Sequence, residues 1–187
     1  MEKTLTQIWR SYGTDKFEHG FLDFYDEILK DIRTIRNILE IGVYNWASIR
    51  MWRDYFGKQT MVVGVDINPA MDIAWATIVR ADATTKEFAD ILGWMDLIVD
   101  DGSHKSSDQI KTLELLREKL NPGGIYILED THTSFMSAYM DTEVSAYVYF
   151  KEFSDKNCKT PYKEFWKGGL RDDGTLVLFK DKESLAI

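Results

Sequence analysis

Short apolar segments recur along the chain, and most of them end in an acidic residue. These segments are NILEIG (37–42), MVVGVD (61–66), TIVRAD (77–82), MDLIVDD (95–101) and GIYILED (124–130). Short, nearly continuous apolar runs are typical of strands that are buried on both faces, as in a parallel sheet. Because helix-like stretches lie between them, the alternation predicts an α/β fold with a mostly parallel central sheet and helices on both faces.

The segments between and after these strands predict helices and a hairpin. Residues 48–56 (SIRMWRDYF) and 106–120 (SSDQIKTLELLREKL) carry apolar residues at helical spacing. The sequence NPGG at 121–124 predicts the end of the second helix and the start of the next strand. Residues 131–153 predict a loop followed by a helix. The DDG sequence at 172–174 lies between two strand-like runs and predicts an antiparallel hairpin at the sheet edge.

Composition narrows the class of protein. The chain has 187 residues, of which 44% are hydrophobic, so residues 1–187 are predicted to form a single domain. A net charge of −8 argues against nucleic acid as a partner, because a phosphate binder needs a basic face. Cys158 is the single cysteine, and the start MEKTLTQIWR lacks the basic and apolar regions of a secretory signal. No apolar run approaches the roughly 20 residues of a membrane span. We therefore expect a cytoplasmic protein without a membrane partner.

Polar residues at the ends of the first three predicted strands indicate a ligand site. In an open α/β sheet, ligands bind beyond the carboxyl ends of the strands. Glu40 and Gly42 lie at the tip of the first strand, Asp66 ends the second and Asp82 ends the third. A glycine can let the backbone approach a ligand, and a carboxylate after the second strand can accept hydrogen bonds from ribose hydroxyls. Any one of these acids could equally be a helix cap, so their serial placement carries the prediction of a nucleoside site.

Across residues 37–130 this succession resembles the class I S-adenosylmethionine-dependent methyltransferases. The resemblance implies a Rossmann-like fold in which Glu40 and Gly42 hold the methionine part of S-adenosylmethionine. It also implies that Asp66 holds the ribose and that Asp82 lies near the adenine. The loop GVYNWAS departs from the family's glycine-rich form, since it carries one glycine. A nicotinamide-dependent oxidoreductase or epimerase is an alternative, but the GxGxxG motif expected of such an enzyme is missing here. A nucleoside-binding module without catalysis is a second alternative.

Acids also follow the fourth and fifth predicted strands. Asp101 follows the fourth strand, and Glu129 and Asp130 follow the fifth. If these strands are parallel neighbours, their tips lie about 5 Å apart, and three carboxylates can converge on one hard cation such as Mg²⁺, with Mn²⁺ as the alternative. His104 comes three residues after Asp101. Because imidazole titrates near neutral pH, a general base is favoured here over a loop histidine that caps the following helix.

Four sequence blocks, in order, carry a more specific resemblance. The blocks are YGTDKFEHGFLDFYDEIL (12–29), SIRMWRDYF (48–56), IVDDGSH (98–104) and ILEDTHTS (127–134). Together they resemble the metal-dependent sugar O-methyltransferases of macrolide biosynthesis, of the macrocin and mycinamicin type. The resemblance extends to proteins grouped with the cephalosporin-methoxylation methyltransferase, so the identity of the acceptor stays open.

This resemblance assigns roles residue by residue. Asp101, Glu129 and Asp130 correspond to Mg²⁺ ligands, and His104 corresponds to the general base that deprotonates the acceptor hydroxyl. His132 is interpreted as an acceptor-pocket residue, an alternative base or a loop residue that hydrogen-bonds locally. The implied activity is Mg²⁺-dependent O-methylation of a sugar or another vicinal-diol small molecule. The chain starts almost at the YGTDK block, so we expect it to lack an N-terminal domain of the macrolide enzymes, and a homo-oligomer stays open.

Overall fold

One sheet organises the part of the chain that the computed structural model describes, which is residues 4–9, 11–30, 32, 35–69, 74–168 and 173–180. Its strands are β1 (Asn37–Ile41), β2 (Met61–Asp66), β3 (Thr77–Arg80), β4 (Met95–Asp100), β5 (Leu120–Leu128), β6 (Lys163–Trp166) and β7 (Gly174–Phe179). The spatial order is β3-β2-β1-β4-β5-β7-β6. The order reverses beside β1, which is the point where open α/β sheets bind ligands.

Helices separate β1 from β2, β3 from β4, β4 from β5 and β5 from β6, as the sequence predicts for most of the sheet. The helices are α1 (Leu5–Trp9), α2 (Phe21–Leu29), α3 (Ala47–Phe56), α4 (Lys86–Ile91), α5 (Ser106–Leu116) and α6 (Ala146–Asn157). Short 3₁₀ helices cover Asp15–Phe17, Arg117–Lys119 and Thr131–Phe135. Among the residues described, no helix combines the length and the apolar content that crossing a membrane requires.

Strand directions confirm the predicted α/β fold. Strands β1 to β5 pair in parallel, whereas β7 is antiparallel to both β5 and β6. The C-terminal hairpin is therefore present, with β7 between β5 and β6 and with β6 at the edge. Residues 169–172, which include the first Asp of the predicted DDG turn, lie outside the described residues.

Each face of the sheet buries its own core. Because side chains alternate along a strand, Ile38 and Leu97 point to one face while Leu39 and Ile98 point to the other. Helices α1, α2 and α3 cover the first face, and α4, α5 and α6 cover the second. Burial on both faces explains why the strand segments are nearly continuous apolar runs.

The boundary between α5 and β5 differs from the prediction. The helix ends at Leu116 and a 3₁₀ turn follows, while β5 already begins at Leu120, where Leu120 pairs with Met95. The register then shifts before Leu97 pairs with Ile125. The NPGG sequence thus forms an irregularity inside an extended strand, because a bulge lets the ladder continue where turn residues interrupt it.

Candidate active site

A cavity of about 400 Å³ opens beyond the carboxyl ends of the strands. Its wall includes Gly42 after β1, Asp66 at the end of β2 and Asp82 after β3. The structure therefore brings together three of the four residues that the sequence assigns to the cofactor. Glu40 lies behind this wall, fully buried, where its Oε2 accepts a hydrogen bond of 3.1 Å from the Trp52 indole.

Hydrogen bonds from the chain itself orient the two cavity acids. The Asp66 carboxylate accepts from the backbone N–H of Val43 at 3.0 Å and of Asn68 at 2.7 Å. Asp82 Oδ1 accepts from the backbone N–H and the hydroxyl of Thr84. A carboxylate has about four acceptor positions, so these bonds fix the acids without saturating them.

Gly42 lies where the loop after β1 meets the loop after β4. Its φ is +82°, and a Cβ built at this position would lie 2.0 Å from the carbonyl oxygen of Asp101. The backbone of Asp101 therefore excludes a side chain at this position, whether or not a ligand approaches from the cavity. Because of this close packing, the loop after β1 and the loop after β4 form one unit.

The loops after β4 and β5 assemble a cluster of potential metal ligands. Asp101, His104 and Asp130 each offer one ligand atom, and these atoms all lie within 4.8 Å of one another. His104 Nε2 is 3.7 Å from Asp130 Oδ2. The backbone ties the loops together, since the Asp101 N–H donates to Ile41 and the Glu129 N–H donates to Asp100. Neighbouring parallel strands thus deliver the acids to one edge, as the sequence predicts.

Strained backbone conformations concentrate around this cluster. Among the described residues, the non-glycine residues with positive φ are Tyr44, Trp46, His104 and Asp130. His104 and Asp130 belong to the cluster, and Tyr44 and Trp46 belong to the loop after β1. Left-handed conformations cost energy in non-glycine residues and persist where the surroundings impose them, which is common at functional sites.

Glu129 lies beside the cluster and has partners of its own. Its buried carboxylate accepts hydrogen bonds from Tyr25 Oη at 2.8 Å and from Lys16 Nζ at 2.7 Å. Lys16 also donates to Asp101 at 2.9 Å. The sequence grouped Asp101, Glu129 and Asp130, whereas the structure places His104 in the tight group and links Glu129 to it through Lys16.

Burial shifts the ionisation of three acids in this region. Burial raises the pKa of Glu129 well above its usual value, although Lys16 acts in the opposite direction. Burial and the neighbouring Asp101 also raise the pKa of Asp130, although His104 opposes them. Burial raises the pKa of Asp100 to about 7, against the hydrogen bond that Tyr126 donates. Burial thus disfavours the charged form of these three carboxyl groups.

The three histidines of the chain all lie near this site. His132 Nδ1 is 3.9 Å from Asp130 Oδ1 and 4.0 Å from Asp173 Oδ1. His19 Nδ1 is 3.1 Å from Asp173 Oδ2. Because Asp130 has His104 on one side and His132 on the other, geometry keeps both imidazoles as candidates for the base.

The sequence did not predict the contribution of Lys16. Lys16 lies buried among the acids, although the sequence assigned no role to it. The signal was its place in the YGTDK block, one of the four blocks that carry the resemblance.

Known proteins resemble this chain in sequence, although no protein-family model matches it. It is 32% identical over 165 residues to the 8-demethyl-8-α-L-rhamnosyl tetracenomycin-C 2′-O-methyltransferase of Streptomyces olivaceus. It is 29% identical over 151 residues to the mycinamicin VI 2″-O-methyltransferase of Micromonospora griseorubida. The chain is similar in sequence to sugar O-methyltransferases. The two alignments cover 77% and 72% of this chain but 43% and 38% of those proteins, so the chain spans less than half the length of these relatives.

Solved structures confirm the predicted fold. The MycE methyltransferase from the mycinamycin biosynthetic pathway, in complex with Mg and SAH, has a TM-score of 0.81 and 23% identity to this chain. That comparison covers 100% of this chain and 57% of MycE. An O-methyltransferase from Bacillus cereus in complex with SAH has a TM-score of 0.59 and 14% identity. The fold is that of the class I methyltransferases, and the resemblance to macrolide sugar O-methyltransferases is confirmed.

Proposed function

We propose that this chain transfers a methyl group from S-adenosylmethionine to a hydroxyl of a sugar or another vicinal-diol small molecule, with the help of Mg²⁺. The observation that carries the proposal is the continuity of the two sites. Gly102 and Ser103 line the cavity, and they lie between Asp101 and His104 of the ligand cluster. A methyl donor in the cavity and a hydroxyl at the cluster would therefore be neighbours. The relatives, which are named for methylation of rhamnosyl and mycinamicin acceptors, support a sugar-containing acceptor.

The residues around the cavity fit S-adenosylmethionine, which supplies an activated methyl group when bound. Asp66 would accept hydrogen bonds from the ribose hydroxyls, and Asp82 would lie near the adenine. Gly42 would face the methionine part, with Glu40 supporting the same loop from behind. A cavity of about 400 Å³ is within the usual size range for a cofactor site.

The acids fit a hard divalent cation, which acidifies a coordinated hydroxyl when bound. Asp101, Glu129 and Asp130 would hold the ion, because carboxylate oxygens are the ligands that Mg²⁺ prefers. Mn²⁺ remains an alternative for the same ligands. An imidazole is a weaker choice for Mg²⁺, which leaves His104 available for proton transfer.

His104 is the proposed general base. Its Nε2 would take the proton from the acceptor hydroxyl, and S-adenosylmethionine would supply the methyl group and leave as S-adenosylhomocysteine. Asp130 Oδ2, 3.7 Å from Nε2, would stabilise the imidazolium that results. His132, on the other side of Asp130, is the alternative base.

We further propose that residues 1–187 work as one domain in the cytoplasm without a nucleic-acid partner. The N-terminal block supplies Lys16 to the acid site, and the C-terminal strand β7 completes the same sheet beside β5. Both ends of the described chain thus support a single site, and the net charge of −8 disfavours binding to phosphate backbones.

Two measurements test the proposal against its alternatives. Calorimetric titration should show binding of S-adenosylmethionine and no binding of NAD; the reverse result would favour the oxidoreductase or epimerase. Transfer of a labelled methyl group should then be measured on a panel of glycosides with vicinal hydroxyls, with a chelator and after Mg²⁺ is restored. Transfer that stops with the chelator and returns with Mg²⁺ supports the proposal. Cofactor binding without transfer to any acceptor would favour a non-catalytic module.

A further inference from the structure

Lys16 is a buried cation that the proposed reaction does not use. Its side chain is 1% exposed, and Nζ lies 2.7 Å from Glu129 Oε2, 2.9 Å from Asp101 Oδ2 and 3.3 Å from Glu40 Oε1. The ammonium group therefore contacts one acid behind the cofactor cavity and two proposed metal ligands.

This ammonium group makes the burial of the acids tolerable. The carboxylates of Asp101, Glu129 and Glu40 surround the Lys16 ammonium group and offset the cost of burying its charge. Glu40 and Glu129 are both almost completely inaccessible to solvent. If Lys16 lost its charge, they would be left as uncompensated buried carboxylates, which is strongly destabilising.

The same group would compete with a metal ion. Lys16 already occupies one oxygen of Asp101 and one of Glu129. Two cations that share carboxylates repel each other, and the repulsion is stronger in a buried site than in water. Lys16 should thus oppose metal binding although it stabilises the ligands.

We propose that Lys16 is a built-in counter-cation, which neutralises Asp101 and Glu129 when the metal is absent and lowers the affinity of the site for the metal. The inference rests on the proposed metal-dependent function and adds to it a means of keeping the site folded while the ion exchanges. A purely structural role differs in a measurable way, because a structural contact would stabilise the protein equally with and without metal. A counter-cation matters most when the metal is absent.

The test compares Lys16→Met and Lys16→Gln with the unmodified chain. Lys16→Met removes the charge, and Lys16→Gln also removes it but keeps a hydrogen-bond donor in the buried site. Lys151→Met is the matched control, because Lys151 lies 3.9 Å from a carboxylate of Glu164 outside the acid site. Mg²⁺ affinity is measured by calorimetry, and thermal unfolding is measured with a chelator and with saturating Mg²⁺.

We expect both Lys16 variants to bind Mg²⁺ roughly tenfold or more tightly than the unmodified chain. Their melting temperatures should fall more in chelator than in Mg²⁺, and Lys151→Met should show neither effect. A variant that folds only when Mg²⁺ is present supports the inference for the same reason.

Unchanged or weaker Mg²⁺ binding by both variants would overturn the inference, as would equal loss of stability with and without the ion. Variants that stay unfolded at saturating Mg²⁺ would also overturn it, since the lysine would then be needed beside the metal. If the unmodified chain binds no Mg²⁺, the proposed metal-dependent function fails first, and the two failures are thereby distinguished.

Discussion

Replacing Gly42 with Ala tests the close contact between the loop after β1 and the loop after β4. The new Cβ would lie 2.0 Å from the carbonyl oxygen of Asp101 and 2.8 Å from its carbonyl carbon. Both atoms are backbone, so no side chain can rotate away to make room. An ordinary contact is at least 3.4 Å, which requires the two loops to separate by more than 1 Å.

The expected loss of stability has two parts. A non-glycine residue at φ +82° costs about 1–2 kcal/mol, and the steric overlap adds about 1–3 kcal/mol. The total of about 2–5 kcal/mol is a large share of the stability of a typical domain. Because Asp101 must move, Mg²⁺ affinity should fall as well, since a displacement of about 1 Å is enough to disturb a site severely.

Gly13→Ala separates the two parts. Gly13 also has a positive φ, +68°, but nothing lies within 4 Å of its Cβ position. Urea unfolding should therefore give about 1–2 kcal/mol for Gly13→Ala, a clearly larger loss for Gly42→Ala, and normal Mg²⁺ binding for Gly13→Ala alone. If both variants lose the same stability and bind Mg²⁺ alike, the reasoning about Gly42 and Asp101 is refuted.

Three further predictions concern the cofactor, the metal and the base. Asp66→Ala should weaken S-adenosylmethionine binding by about 1.5–3 kcal/mol in a calorimetric titration, because it removes a charged acceptor for the ribose. Asp130→Ala should raise the Mg²⁺ concentration that half-maximal methyl transfer requires. His104→Asn should keep cofactor binding but lose about 10²–10⁴ in single-turnover rate, whereas His132→Asn should keep most of it. Asparagine is chosen because it tolerates the left-handed backbone of His104.

Specific results would contradict each of these. Asp90→Ala, an exposed position on α4, serves as the control for the two aspartate variants. Cofactor affinity as high in Asp66→Ala as in this control would remove Asp66 from the nucleoside site. Full transfer by Asp130→Ala in chelator would remove the metal role. An active His104→Asn beside an inactive His132→Asn would make His132 the base.

The sequence predicted the strands and the edge at which the acids meet, because those features depend on local pattern. Strands buried on both faces need continuous apolar runs, and the acids simply follow them along the chain, as Asp101 follows β4. The role of Gly42 was only partly visible. The sequence predicted that a glycine there lets the backbone approach a ligand, but the contact of Gly42 with Asp101 joins residues 59 positions apart and leaves no local signal.

The arrangement of the acids depends on Lys16. The sequence could therefore identify the acids but could not predict which side chains they contact. Spacing alone makes Asp101, Glu129 and Asp130 equivalent ligands at neighbouring strand tips. Lys16 donates hydrogen bonds to Asp101 and Glu129 but not to Asp130. It lies 85 positions before Asp101 and 113 before Glu129. Asp130 has histidines instead, so His104 completes its group. Contacts between residues distant in sequence therefore separate the acids that lie beside Lys16 from Asp130, which lies beside two histidines.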